Sequence, residues 1–208
     1  GLDSQYATIT INGVTMNKLF DGRPQWGDWS GLNNAVRNQE FTVGSFPSDY
    51  VFGGILGTQQ INTRASIYRP GTILTFSGTN TNYSWRMTGT YASGMNNKGW
   101  AFVVSAGTRW AEEGYFEGTN FNSIAGFISV EKKINDQHSL NFSGFYTPNS
   151  RAKNSPNTAE VTELTSEKYN SYWGWYEGKK RNARIKTIEE PILMLNHFFT
   201  LNDYTTLN

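Results

Sequence analysis

From about Thr72 the chain alternates: segments of roughly ten residues set bulky apolar side chains against small or polar ones, a period of two that predicts β-strands. Between 83 and 92, Tyr83, Trp85, Met87, Gly89 and Tyr91 share one face, opposed by Ser84, Arg86, Thr88 and Thr90. Between 100 and 110, Trp100, Phe102, Val104, Ala106 and Trp110 oppose Ser105, Gly107 and Arg109. Further strands are expected at 72–77 (Thr72, Leu74, Phe76), at about 121–132, around Leu140, Phe142, Gly144 and Tyr146, and from about 192 to 201. The two faces of the 121–132 segment do not separate cleanly. Short polar turns at 95–99, Asn135-Asp136-Gln137 and Asn202-Asp203 follow the second, fourth and sixth strands, the last leading into a seventh. Longer connections, 78–82, 111–118 and 147–187, follow the first, third and fifth. Such a rhythm predicts strands that thread a bilayer up and down, with one trimmed end and one elaborated end.

Residues 1–70 read differently, as a small α+β unit. An alternating strand from Tyr6 reaches Asn12-Gly13, a hairpin signal, and returns over Val14 to Met16. Asp21-Gly22-Arg23-Pro24 makes a turn, and Ser30 is placed to cap a helix over 31–38 with Leu32, Ala35 and Val36 inward. A short strand is expected at Phe41 to Val43, and the Gly-rich stretch from Asp49 feeds another that ends in a linker over 65–70.

Composition narrows the classes. No apolar run approaches the roughly eighteen residues of a spanning helix, whereas a membrane barrel needs only alternate apolar residues. A formal net charge of +1 gives no general attraction to nucleic acid, and zero cysteines remove disulfide, thiol and zinc-cysteine chemistry. The start at Gly1-Leu2-Asp3-Ser4 carries no secretory signal, and the end at Tyr204 to Asn208 stops where a strand begins, so a fragment of a longer chain is expected. Trp85, Trp100, Trp110, Tyr83 and Tyr91 sit near segment ends, as interfacial girdles would. Arg86 and Arg109 fall on polar faces, which a polar or filled lumen can accommodate. A secreted β-sandwich using the same rings as core is the alternative, recognising glycans through Trp173 and Trp175.

Catalytic signals are thin. No GxSxG elbow, P-loop or HExxH occurs, and His138 and His197 are far apart in the chain. Glu112, Glu113, Glu160, Glu163 and Glu167 offer carboxylates for a glycosidase pair, but in predicted loops where solvated charge is the ordinary role. No catalytic residue, cofactor or metal site is expected. Contact with a ligand is expected instead from Trp173, Trp175 and Tyr176, whose faces can stack on sugars or large apolar groups. Lys179, Lys180, Arg181 and Arg184 follow them, suited to lipopolysaccharide phosphates or other anions. Arg23, Trp26 and Trp29 form a second, N-terminal candidate.

With Phe52-Gly53-Gly54-Ile55 and Gln60-Ile61-Asn62-Thr63-Arg64 placed one linker before alternating strands, the chain resembles the TonB-dependent outer-membrane receptors, in particular those of Bacteroidetes. Residues 56–59 are inserted between the Gly-Gly and the Ile-Asn, which departs from the commonest spacing. The resemblance implies a mainly β chain: the C-terminal part of an α+β plug domain over 1–70, then the first six to seven antiparallel up-and-down strands of an incomplete transmembrane β-barrel over 71–208. It further implies a 22-stranded barrel in the bacterial outer membrane, importing a siderophore, cobalamin or oligosaccharide by energised opening of the plug. The implied partners are outer-membrane lipid, the nutrient ligand, a surface lipoprotein, and the TonB complex through a segment preceding this chain. A fragment of that kind would leave its sheet edges unsatisfied in lipid.

Overall fold

The computed structural model describes residues 3–48, 51–202 and 205–207. Asp49 and Tyr50 of the Gly-rich stretch, Asp203 of the last turn, and Gly1, Leu2, Tyr204 and Asn208 at the two ends lie outside them.

The N-terminal unit is built on a sheet of β1 (Thr8–Ile11), β2 (Val14–Thr15), β3 (Gln39–Thr42) and β4 (Thr58–Ile61), in the order β2-β1-β4-β3 among the described residues. The expected hairpin forms because Asn12 and Gly13 both take positive φ, 49° and 82°, the two left-handed residues a tight primed turn requires. Strand β4 returns parallel to β1, putting Ile61 beside Ile11 in a core with Trp29, Leu32, Ala35 and Tyr68.

The helix expected over 31–38 does not form. A single 3₁₀ turn, Trp26–Trp29, comes before it, and Ser30 closes that turn: its backbone N–H and its Oγ both donate to the Gly27 carbonyl, at 3.3 and 3.0 Å. Gly31 follows at φ +86°, a left-handed step that stops a right-handed helix from starting. Leu32 and Ala35 still point into the core, so the hydrophobic spacing was obeyed without the helix.

The main sheet runs in chain order: β5 (Gly71–Gly78), β6 (Trp85–Ala92), β7 (Trp100–Ala111), β8 (Phe121–Lys133) and β9 (His138–Tyr146). Short strand β10 (Asn149–Ala152) also pairs with β8. After helix α1 (Ala159–Leu164) and a two-stranded ribbon of β11 (Trp173–Tyr176) and β12 (Lys179–Asn182), the chain re-enters as β13 (Ile185–Ile188) on β10, β14 (Pro191–Asn202) on β9, and β15 (Thr205–Leu207) on β14. Pairing in this sheet is antiparallel throughout the described residues.

The excursion expected over 147–187 is therefore shorter than the sequence suggested. Register carries straight through the gap, Tyr146 facing Pro191 and Asn149 facing Ile188, so β9–β10 and β13–β14 are two long strands interrupted at one level. Pro148 and Pro191 stand at that level, and neither has an N–H to give to a ladder. The short-turn, long-loop rhythm also fails once: the β5–β6 connection over 79–84 is no longer than the β6–β7 connection over 93–99.

The sheet is inside out by the standard of a soluble domain. Leu74, Trp85, Met87, Phe102, Ile124 and Leu195 project from one face and are exposed. Thr90, Ser105, Ser123, Ser129, Asn141 and Ser143 lie on the other and are buried. What buries them is the N-terminal unit. Among the described residues the apolar stripes have no second sheet against them, so a two-layer sandwich is not the architecture. In β8 the alternation that the sequence left ambiguous is clean: Phe121, Ser123, Ala125, Phe127, Ser129 and Glu131 are inward and buried.

Candidate functional site

The seam between the N-terminal unit and the inner wall is mostly polar. Buried polar groups must find partners there or lose their hydration without return. The Asn12 carboxamide reaches across the hairpin turn, donating to Thr63 Oγ1 at 2.9 Å and to Ser143 Oγ at 3.4 Å, while its oxygen accepts from the Thr63 N–H at 2.7 Å. Ser129 Oγ donates to the Thr63 carbonyl at 2.8 Å, and the Ala65 N–H donates to Asn141 Oδ1 at 3.2 Å. The one ion pair across the seam among the described residues is Arg64 to Glu131, 2.5 Å. Glu131 is 1% exposed and also accepts from the Ser66 N–H at 2.9 Å, while Arg64 lies 4.0 Å over the Phe198 ring. A buried carboxylate so clasped fixes where the linker leaves the unit and enters β5.

At the loop end of the sheet the turn Trp26–Trp29 rests where the two long strands are interrupted. Thr147 Oγ1 donates to the Gly27 carbonyl at 2.5 Å, and a Cβ on Gly27 would come within 2.6 Å of Ile188 Cδ1, so a larger residue would have to push the Ile188 side chain aside. Asp28, 7% exposed, faces Glu190; burial, then the neighbouring Glu190 carboxylate, pushes its pKa up to about 6.

Beside this seat a cleft opens between the turn and the wall. A cavity of about 380 Å³ is lined by Trp26 and Ser30 from the unit and by Tyr83, Arg109, Arg151 and Lys186 from the wall. It shares Asn82, Phe121 and Arg151 with a second cavity of about 400 Å³ under the loops, where Tyr115 and Lys153 take part. Arg109 donates to Ser30 Oγ at 2.8 Å and Ser123 Oγ at 3.1 Å and stands 5.2 Å from the Phe121 ring centre. The arrangement is cationic and aromatic: it can hold an anion or a flat conjugated group, and among its lining residues it offers no acid.

The residues singled out from the sequence are not gathered at one place. Trp26 lines the cleft, whereas Trp29, 5.6 Å from it edge to face, is packed in the core, and Arg23 is engaged with Asp3 at 2.5 Å on the unit's own surface. Trp173 and Trp175 share a face of the β11–β12 ribbon, 6.1 Å apart, with Trp173 lying on Gly118 and Lys180 4.8 Å above its ring. Lys180 also pairs with Glu113 at 3.0 Å; the Gly118 N–H at 2.6 Å, followed by Lys180, holds the Glu113 carboxyl below its ordinary value. Tyr176 is exposed with Arg181 5.1 Å over it, Arg184 stacks on Tyr172 at 4.6 Å, and Lys179 is exposed. The two histidines, distant in the chain, come together on the exposed face: His138 Nδ1 and His197 Nε2 are 3.0 Å apart in nearly coplanar rings. Tyr83, expected on the outward face with Trp85 in the aromatic girdle, instead lines the inner cleft beside Arg109 and Phe121, because it precedes the strand that begins at Trp85 and escapes its parity; Phe121 and Arg151 were not singled out from the sequence as ligand contacts. The signal available was a set of basic residues on inward positions without an acid at cross-strand spacing.

No family model matches this chain, and no curated protein matches it in sequence. Among solved structures it is similar to the siderophore receptor PiuA from Acinetobacter baumannii, with a TM-score of 0.65 and 16% identity over 98% of this chain. The chain spans 28% of that protein's length. At this identity the likeness establishes the fold: a mainly β chain whose large sheet is antiparallel, consistent with a portion of a β-barrel receptor.

Proposed function

We propose that this chain is part of a TonB-dependent outer-membrane receptor, in which residues 1–70 belong to the plug and residues 71–208 supply the first strands of the barrel. One observation carries the reading: the strands turn their apolar residues outward and their polar residues inward, and the N-terminal unit fills the inner side. Lipid on the outer face and a plug on the inner one account for both halves of that pattern. The overlay on a siderophore receptor across both units supports it, as does the Gly53-Gly54 to Arg64 segment, which also favours the Bacteroidetes type.

The role is transport without catalysis. A scarce, large ligand, of which a siderophore is the leading class, would enter from the loop end, settle in the cleft beside Trp26 and pass when the plug is rearranged by the TonB complex. The ribbon's Tyr176, Lys179 and Arg181 would meet lipopolysaccharide phosphates or a surface partner above the bilayer. The test uses the full-length gene product. It should fractionate with the outer membrane, and a deletion strain should lose uptake of one class of ferric chelate, restored by the gene only when TonB is active. Restoration in a strain lacking TonB, or recovery of the product as a soluble protein, would overturn the reading.

A further inference from the structure

We propose that Arg86 and Arg109 form an anion-binding site on the inner wall, and that an anion held there draws Arg109 away from Ser30 of the N-terminal unit. The two residues are direct cross-strand partners on β6 and β7 and both point inward. Arg151 and Lys186 repeat the arrangement on β10 and β13, also as direct partners, and line the same cavity as Arg109. Like charges set opposite one another across a ladder repel, at a spacing of roughly 5 Å. Here Arg109, Arg151 and Lys186 face one cavity, and Arg86 adjoins Arg109 across the ladder.

Among the described residues no ion pair involves Arg86, Arg109, Arg151 or Lys186. Glu113 is committed to Lys180, and Asp28 of the N-terminal turn is the acid within electrostatic reach of Lys186. The Nε–H groups of Arg86 and Arg109 are both buried and both lack an acceptor. A guanidinium presents a flat fork of donors matched to a carboxylate or phosphate, and two adjacent forks with idle donors suit an anion bearing several oxygens. The Tyr83 and Phe121 rings, 5.7 and 5.2 Å from the Arg109 guanidinium, would flank an aromatic portion of the same molecule.

Arg109 gives the site a consequence. Its Nη2 bonds to Ser30 at the end of the Trp26–Trp29 turn and to Ser123 of the wall, and a Cβ on Gly31 would lie 3.0 Å from its Nε. An anion is a stronger acceptor than a serine hydroxyl. Occupancy therefore exchanges a plug contact for a ligand contact, which couples arrival of the ligand to loosening of the turn. This step rests on the proposed receptor reading; the anion site itself does not.

The experiment uses the full-length protein in detergent at low salt, with phenyl phosphate as probe and benzyl alcohol as its uncharged counterpart, measured by calorimetry. Phenyl phosphate should bind and benzyl alcohol should not. R86Q and R109Q should each weaken binding at least tenfold, R86K less, and K98Q at the opposite end should leave it unchanged. Amide exchange over 27–33 should speed up when phenyl phosphate binds. Should R109Q fail to fold, R86Q and R86K decide. Equal binding by R86Q and the parent protein, or no binding by the parent, overturns the site. Binding with no change in exchange over 27–33 overturns the coupling. TonB-dependent uptake in a protein that ignores phenyl phosphate would sink this site and leave the receptor reading standing; binding without TonB-dependent uptake would do the reverse.

Discussion

Asp28 and Glu190 are both acids, yet the fold seats them side by side where the Trp26–Trp29 turn meets the wall. Glu190 is exposed and keeps its hydration, so the buried partner is the one that takes up a proton. An acid with a higher pKa in the folded state favours that state while protonated. For Asp28 this contribution is complete below the ordinary value of 3.8 and is lost as pH climbs through about 6. The urea midpoint of the turn, followed by Trp29 fluorescence in a single-tryptophan variant, should fall between about pH 4 and 6, and Asp28→Asn should flatten that slope. An unchanged slope in the variant would assign it to another group. None of this was legible beforehand, because Glu190 is remote in the chain. The neighbouring aromatics show the same limit: Trp26 and Trp29 belong to one short motif, and only the tertiary seat decides that the first lines a cleft while the second fills a core. Arg86 and Arg109, by contrast, were legible as inward residues from parity alone, since a strand fixes which side each residue takes.

Among the elements, the strands were read well wherever a period of two persisted over eight residues or more, as in β6 and β7. They were read poorly where the outward rule and the inward rule conflict with composition. In β8 the inward set mixes Phe121 and Phe127 with Ser123, Ser129 and Glu131, because the wall must offer apolar patches to one part of the N-terminal unit and acceptors to another. The 31–38 segment carried helical spacing, but Gly31 and the closing bonds of Ser30 decided the backbone locally. The hairpin turn of β1 and β2 was foreseen as a turn; its second use was not. Asn12 is the lug that this turn pushes into the wall, 2% exposed and bonded to Thr63 and Ser143. Asn12→Ala would strand the Thr63 N–H, while the Thr63 hydroxyl keeps Ser143 Oγ at 3.3 Å, at a cost of roughly 2 kcal/mol. Asn12→Gly keeps the turn but loses the same bonds. Both variants should lower the denaturation midpoint of the N-terminal unit, the alanine variant further by the roughly 1–2 kcal/mol of a side chain held left-handed; a loss in the alanine variant alone would mean that the left-handed backbone, and not the wall contact, is what Asn12 provides.

On the scale of the whole molecule the outer face specifies its own thickness. Trp100 begins β7 at the turn end and Trp110 closes it at the loop end, with Trp85 directly opposite Trp110 on β6, and all three rings are exposed. Ten residues of antiparallel strand span about 34 Å. Tilted by the roughly 35–45° usual for membrane barrels, that length projects to about 26 Å, close to the roughly 25 Å apolar band between two aromatic girdles. Between the belts the outward positions of β6, β7 and β8 are Met87, Gly89, Tyr91, Phe102, Val104, Ala106, Thr108, Ile124, Gly126, Ile128 and Val130, with no charge among them. A soluble sheet would have no reason to match that height. If lipid covers this face, single-tryptophan variants of the full-length protein in vesicles should be quenched most strongly by lipids brominated near the headgroup. Bromine near the bilayer centre should reach Trp85, Trp100 and Trp110 weakly, yet quench a tryptophan introduced at Val104 strongly. Uniform weak quenching at all four positions would show that protein or water, and not hydrocarbon, covers the outer stripes, and both the barrel and the import function proposed from it would have to be abandoned.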